Sequence, residues 1–141
     1  MTDIAIFDVD GTLMNVNHRR HHVSGVNKNW KAFNESMVLD TPNEAVFQLA
    51  KQTDLPVIIV SGRNERHRDV TERQLQSIDY IKLIMRPDDN YEADYEFKES
   101  VLNVLNETGF NVQFVVDDRP SVVQMWRRNG ITCFDVGGFD E

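Results

Sequence analysis

Ile4-Ala5-Ile6-Phe7-Asp8-Val9-Asp10-Gly11-Thr12-Leu13 is a short apolar run that stops at two carboxylates and a glycine. A run of this kind fits a strand covered on both faces by helices, as in a parallel sheet, where ligands gather beyond the carboxyl ends of the strands. Side chains two apart on an extended strand point the same way, so Asp8 and Asp10 could converge on one spot. Two anions held that close call for a cation, and an all-oxygen donor set suits a hard one such as magnesium. A calcium loop would place its glycine three residues beyond the second acid, whereas Gly11 follows Asp10 directly, so that alternative is set aside.

Outward from this stretch, the design repeats. Thr41-Pro42-Asn43-Glu44 reads as a capping box with proline at the first helical position, followed by Ala45, Val46, Leu49 and Ala50 on one face. Pro56 to Val60 is a second buried strand, closed by Ser61-Gly62-Arg63, after which Asn64 could cap a polar helix through about Ser77. Lys82 to Met85 suggests a third strand. A helix with Phe97, Val101, Val104 and Leu105 on its apolar stripe follows and ends before Gly109, with Asp94 and Lys98 four residues apart on one face. Val112 to Val116 is a fourth strand ending in Asp117-Asp118, Pro120 opens a helix that Asn129-Gly130 stops, and Ile131 to Val136 is a fifth strand. This alternation predicts an α/β, Rossmann-like fold: a five-stranded parallel sheet flanked by helices. Residues 13–40, rich in Asn, His and Arg, are too long for a plain connection and read as a small cap or flap.

At 141 residues the chain suits one domain, here 1–141 with the flap as its insertion. No apolar run approaches membrane-spanning length, and a cytoplasmic location is the expectation. The single cysteine, Cys133, lies in an apolar run and reads as an inert core thiol. A net charge of −8 argues against a sequence-independent coat of nucleic acid. The distribution is polarised, however. No acid lies between Gly11 and Asn34, where His18, Arg19, Arg20, His21, His22, Lys28 and Lys31 crowd together, and Arg63, Arg66, His67 and Arg68 form a second basic knot. Trp30 and Phe33 in the flap read equally well as core or as base-stacking surfaces, whereas Trp126 reads as core.

In a parallel sheet the ends of the first, second and fourth strands share one edge, which gathers Asp8, Asp10, Ser61, Arg63, Asp117 and Asp118. Taken singly, Asp117-Asp118 before Pro120 could be a helix cap, Ser61-Gly62 a turn and Lys98 a solvated lysine. Taken together and in order, they assemble an oxygen nucleophile, a cation site, donors for developing charge and an acid, which are the parts that phosphoryl transfer needs.

Asp-Val-Asp-Gly-Thr, strand-Ser-Gly-Arg, a helical lysine and Asp-Asp after a strand resemble, over residues 4–118, the four motifs of haloacid-dehalogenase-superfamily phosphatases. Arg19, Ser61-Gly62-Arg63, Asp94 four before Lys98, and Asp117-Asp118-Arg119 with Val122 to Arg128 narrow the resemblance to the 3′-phosphatase domain of phage polynucleotide kinase. The resemblance implies Asp8 as nucleophile of an aspartyl-phosphate and Asp10 as acid and then base. Magnesium would be held by Asp8, Asp117, Asp118 and the backbone carbonyl of Asp10. Ser61 and Lys98 would serve the phosphoryl group, while Thr12, Arg19, Gly62, Arg63 and Asp94 would bind or orient the substrate. The implied substrates are nucleic-acid 3′ ends or nucleotides, in the host cytoplasm should the chain be phage-encoded. No Gly-x-x-x-x-Gly-Lys-Ser/Thr loop occurs, so a kinase or ligase would be a separate partner. A small-molecule phosphatase and a phosphoacceptor or phosphate-end-binding module are the alternatives; the second acid, Asp10, favours a hydrolase.

Overall fold

Ile4 to Phe7 lie at the centre of the sheet, fully buried, and alternate between its two faces as strand geometry requires. The structure, a computed structural model, describes residues 1–137; the last four residues of the expected 1–141 domain lie outside the described residues. Its strands are β1 (Thr2–Phe7), β2 (Met14–Asn15), β3 (Thr41–Pro42), β4 (Val57–Asn64), β5 (Tyr80–Arg86), β6 (Phe110–Asp117) and β7 (Cys133–Asp135). Its α-helices are α1 (Trp30–Glu35), α2 (Glu44–Gln52), α3 (Arg68–Gln74), α4 (Asp94–Glu107) and α5 (Pro120–Arg128). The main sheet runs β5-β4-β1-β6-β7 with every pairing parallel. The α/β architecture read from the sequence is therefore the one observed.

One face of the sheet sets Ile4, Ile6, Ile58, Val60 and Val115 against α4 and α5, where Phe97, Leu102, Val122 and Trp126 interdigitate with them. The other sets Ala5, Phe7, Ile59 and Val116 against Phe47 and Ala50 of α2 and against Leu75 and Ile78. Both faces are covered, which is why β1 and β4 read as unbroken apolar runs.

Several boundaries differ from the sequence reading. Thr41-Pro42 do not begin a helix: they pair antiparallel with Met14-Asn15 as the two-stranded base of the flap. The N-cap passes to Asn43, whose amide donates instead to the Thr12 carbonyl at 2.9 Å. On α2 the buried residues are Phe47 and Ala50 while Leu49 is exposed, and on α4 Leu102 is buried while Val104 is exposed, because the sheet contacts a face rotated from the predicted stripe. Ser61-Gly62-Arg63 are part of β4, which continues to Asn64 across a break in register with β5. Asn64 makes no side-chain cap; a 3-10 turn (Glu65–His67) leads into the shorter α3. The third and fourth strands run longer than predicted and the fifth shorter. The flap itself holds a 3-10 helix (Asn17–His22), α1 and a second 3-10 turn (Ser36–Leu39). Among the described residues no helix is long and apolar enough to cross a membrane.

Leu102 is 2% exposed and locks α4 to the sheet. Leu102→Ala should lower the free energy of unfolding in urea by about 3 kcal/mol, the usual cost of a buried leucine truncation that leaves a cavity.

Candidate active site

The carboxyl ends of β1, β4 and β6 meet, as predicted, on one edge of the sheet. Just past β1 the chain turns sharply, with Thr12 N–H bonded to Val9 O and Gly11 N–H to Met14 O. Gly11 takes φ +80°, and a Cβ there would stand 2.1 Å from Asp118 Oδ2. Only glycine permits both that conformation and that approach of the fourth strand's acid.

Asp8 is held through both oxygens. Lys98 Nζ donates to Oδ1 at 2.8 Å and Thr12 Oγ1 donates to Oδ2 at 2.9 Å. Lys98, whose side chain is 1% exposed, also donates to Asp117 Oδ2 at 3.1 Å and lies 3.6 Å from Asp94. Trp126 Nε1–H donates to the same Asp117 oxygen at 3.3 Å, so this core tryptophan has a polar duty toward the site. Burial, then the neighbouring Asp117, pushes the Asp8 carboxyl well above its ordinary range despite Lys98. Asp118 rises to about 6, chiefly through burial. Burial works against the charge of Lys98, but Asp117, Asp8 and Asp94 outweigh it and hold the ammonium well above its usual pKa.

The three carboxylates thus outnumber the two cations beside them, the Lys98 ammonium and the Arg20 guanidinium, which stands 3.7 Å from Asp118 Oδ2. Ligand oxygens of Asp8, Asp117 and Asp118 lie within 4.8 Å of one another, and all three residues are buried. Three hard oxygen donors with an uncompensated negative charge fit a divalent cation. The Asp10 carboxylate is outside this group of three.

Asp10 forms a second centre. Its Oδ1 accepts from Arg19 Nη2 at 3.1 Å and from Arg63 Nε at 2.9 Å. Burial alone would raise the Asp10 carboxyl, yet Arg63 and Arg19 hold it below its ordinary range. Arg19 and Arg63, expected to bind or orient the substrate, meet carboxylates of the chain itself. Arg19 is fully buried on Asp40 and Asp10, with its guanidinium 4.2 Å from the Phe33 ring centroid, and Arg63 is taken up by Asp10, Asp40, Thr71 and Gln74. Thr12 likewise faces the carboxylates. Ser61 Oγ accepts from the Arg63 amide at 3.0 Å, which leaves the buried hydroxyl hydrogen for another acceptor.

Gly62 is required by packing: a Cβ there would meet Asp94 Oδ1 at 2.5 Å. Arg86 ties this corner together, donating to the Gly62 carbonyl and to Asp94 Oδ1, each at 3.1 Å. Neither Arg86 nor Asp40 stands out in the sequence. A weak signal for Asp40 exists, since a buried arginine in the flap needs a carboxylate and residues 12–43 contain only Glu35 and Asp40 as acids.

A chain of the solved Pnkp1/Rnl/Hen1 complex superposes with a TM-score of 0.80 at 34% identity, over 99% of this chain and 48% of that one. A protein of Autographa californica nuclear polyhedrosis virus, named as a candidate bifunctional polynucleotide kinase/RNA ligase, is 36% identical over 92 residues, 62% of this chain and 13% of the relative. Acid phosphatase 1 of Solanum lycopersicum is 30% identical over 122 residues, 78% of this chain and 48% of the relative. The chain therefore spans half or less of the length of each of these proteins. The family model of the polynucleotide kinase PNKP phosphatase domain matches residues 2–140, so nearly the whole sequence, with every motif residue described above, lies within the match. By that match and by its fold, the chain belongs to the PNKP phosphatase-domain family of haloacid-dehalogenase phosphatases.

Proposed function

We propose that this protein is a magnesium-dependent phosphomonoesterase that removes 3′-phosphates from polynucleotide ends through an aspartyl-phosphate on Asp8. The observation that carries the reading is the pairing of two differently tuned acids: Asp8 on Lys98 and Thr12 beside a cation site, and Asp10 on two guanidinium groups. In this reading residues 1–141 make one phosphatase domain and residues 13–40 its flap.

Asp8, Asp117 and Asp118, with the backbone carbonyl of Asp10, would hold magnesium. Bound there, it offsets the repulsion between carboxylates and phosphoryl oxygens. An Asp8 carboxylate oxygen attacks phosphorus and the bond to the leaving sugar oxygen breaks, while Asp10 gives that oxygen its proton. Asp10 then takes a proton from water as the water oxygen attacks the aspartyl-phosphate, freeing Asp8 and inorganic phosphate. The resting arrangement, with arginines on Asp10, favours the ionised form used in the second half. The negative charge of an incoming phosphate offsets that of the guanidinium groups and raises the proton affinity of Asp10, which supplies the protonated form for the first half. Lys98 balances charge between nucleophile and phosphate, and the Ser61 hydroxyl donates to a phosphoryl oxygen.

Polynucleotide ends are favoured by the flap, where Trp30 is 55% exposed and Lys28 Nζ lies 6.0 Å from its ring centroid. An aromatic face beside cations is the usual platform for single-stranded nucleic acid. The names of the Pnkp1/Rnl/Hen1 complex and of the viral relative support the same substrate class and a kinase or ligase partner. The net charge of −8 and the plant acid phosphatase favour the second reading, a small-molecule phosphatase.

Asp8→Asn should leave the circular dichroism spectrum intact and reduce turnover of every substrate to below about 1%. Activity should disappear in chelator and return with magnesium. Because protons compete for carboxylates whose pKa values are raised, Asp118 to about 6, the magnesium concentration giving half-maximal rate should fall as pH rises from 5 to 7. Trp30→Ala should lower kcat/KM for a 3′-phosphorylated oligonucleotide by about tenfold, one lost base stack, and barely change that for p-nitrophenyl phosphate. Equal effects on both would point to the small-molecule phosphatase.

A further inference from the structure

Asp40 ends the flap just before β3, at the edge of the site, and is 8% exposed with its side chain fully buried. It collects three basic side chains. Oδ1 accepts from Arg19 Nε at 2.8 Å and from His18 Nε2 at 2.7 Å; Oδ2 accepts from Arg19 Nη2 at 2.8 Å and from Arg63 Nη2 at 3.0 Å. Arg19 is therefore gripped in the two-pronged geometry that fixes a guanidinium plane most firmly. Arg63 belongs to β4 and Arg19 to the flap, so Asp40 is the group through which the flap and the sheet share one ion cluster. Both arginines reach past Asp40 to the same atom, Asp10 Oδ1.

We infer that Asp40 is a positioning residue for the reaction: it sets Arg19 and Arg63 as a fixed pair that aims the Asp10 carboxyl at the leaving group. Asp40 does not itself touch Asp10 among the contacts described, and acts on it only through the two guanidinium groups. Loss of its charge leaves two buried arginines with Asp10 as their remaining carboxylate, which draws the Asp10 side chain toward them and away from its working position. The rest of the Arg63 shell, Thr71 Oγ1 at 2.9 Å and Gln74 Oε1 at 2.7 Å, is neutral and cannot replace the lost charge.

This inference rests on the phosphatase reading, with Asp10 as proton donor. It is tested by kcat/KM on two substrates, a 3′-phosphorylated oligonucleotide, whose sugar oxygen needs a proton, and p-nitrophenyl phosphate, whose phenolate does not. kcat/KM covers only steps through the first irreversible one. A 3′-mononucleotide, which has the same sugar leaving oxygen and no second base to stack on the flap, is assayed beside the oligonucleotide. A loss that the two share reports proton donation, whereas a loss confined to the oligonucleotide reports flap binding and overturns the inference. Asp40→Asn should lower kcat/KM by about 100-fold on the oligonucleotide, the cost of a small misplacement of a catalytic group. The loss on p-nitrophenyl phosphate should stay under about tenfold, because little protonation is needed there. Asp40→Glu keeps the charge, and so the fold, but displaces the carboxylate; it should show the same substrate-dependent loss at smaller size, and it decides the matter where the Asn variant does not fold. Equal losses on both substrates in a variant whose thermal transition is unchanged, or no loss on either, overturn the inference. Wild-type protein inactive on both substrates overturns the phosphatase reading instead.

Discussion

The ammonium of Lys98 is buried against Asp8 at 2.8 Å, Asp117 at 3.1 Å and Asp94 at 3.6 Å, and much of the surrounding structure serves that burial. An isolated charge in such a place would cost several kcal/mol, so it persists only with close partners and with the partners' other lone pairs occupied. Thr12 occupies the second oxygen of Asp8, the Asp118 amide takes Asp117 Oδ1, and Arg86 takes Asp94. Each comes from a different part of the chain, so the site exists only when β1, β6 and α4 are docked. The same groups leave negative charge in excess, a balance that fits a divalent cation.

The Asp10 side of the site is built on the opposite balance. Two guanidinium groups face two carboxylates, Asp10 and Asp40, with His18 as a further partner of the latter. Here nothing calls for a cation, and the arginines depress Asp10 while the lysine side leaves Asp8 and Asp118 raised. Two centres of contrasting charge, a few residues apart on one loop, can divide nucleophilic and proton-transfer duties between chemically identical side chains.

The flap joins these centres to the surface. It is anchored below by the β2-β3 pair and by the amide of Asn43 on the Thr12 carbonyl, and inside by Arg19, which lies between Phe33 and the acids. Phe33 in turn meets Trp30 edge to face, with ring centroids 5.7 Å apart. A continuous line of contacts therefore runs from the partly exposed tryptophan to Asp10.

The sequence by itself determined the sheet, its parallel sense and the residues at its active edge. Apolar period and strand-end chemistry are local properties, and Asp8, Asp10, Ser61, Asp117 and Asp118 each follow a buried run directly. It also determined that Lys98 and Asp94 share a helix face. What it could not determine is which charged side chain meets which. Asp40 acquires its meaning from partners 21 to 23 residues away, and Arg86 from Gly62 across 24 residues. No periodicity reports such distances. The same limit explains Thr41-Pro42: their local pattern is that of a helix start, but pairing with Met14-Asn15 recruits their backbone into a strand, and backbone hydrogen bonds formed across the flap outweigh the weak local preference. It explains as well why the carboxylate partners of Arg19 and Arg63, residues that the resemblance assigns to the substrate, were not legible. Only the tertiary structure decides whether a buried guanidinium finds its counter-charge within the protein, because that depends on which acid is brought within 3 Å.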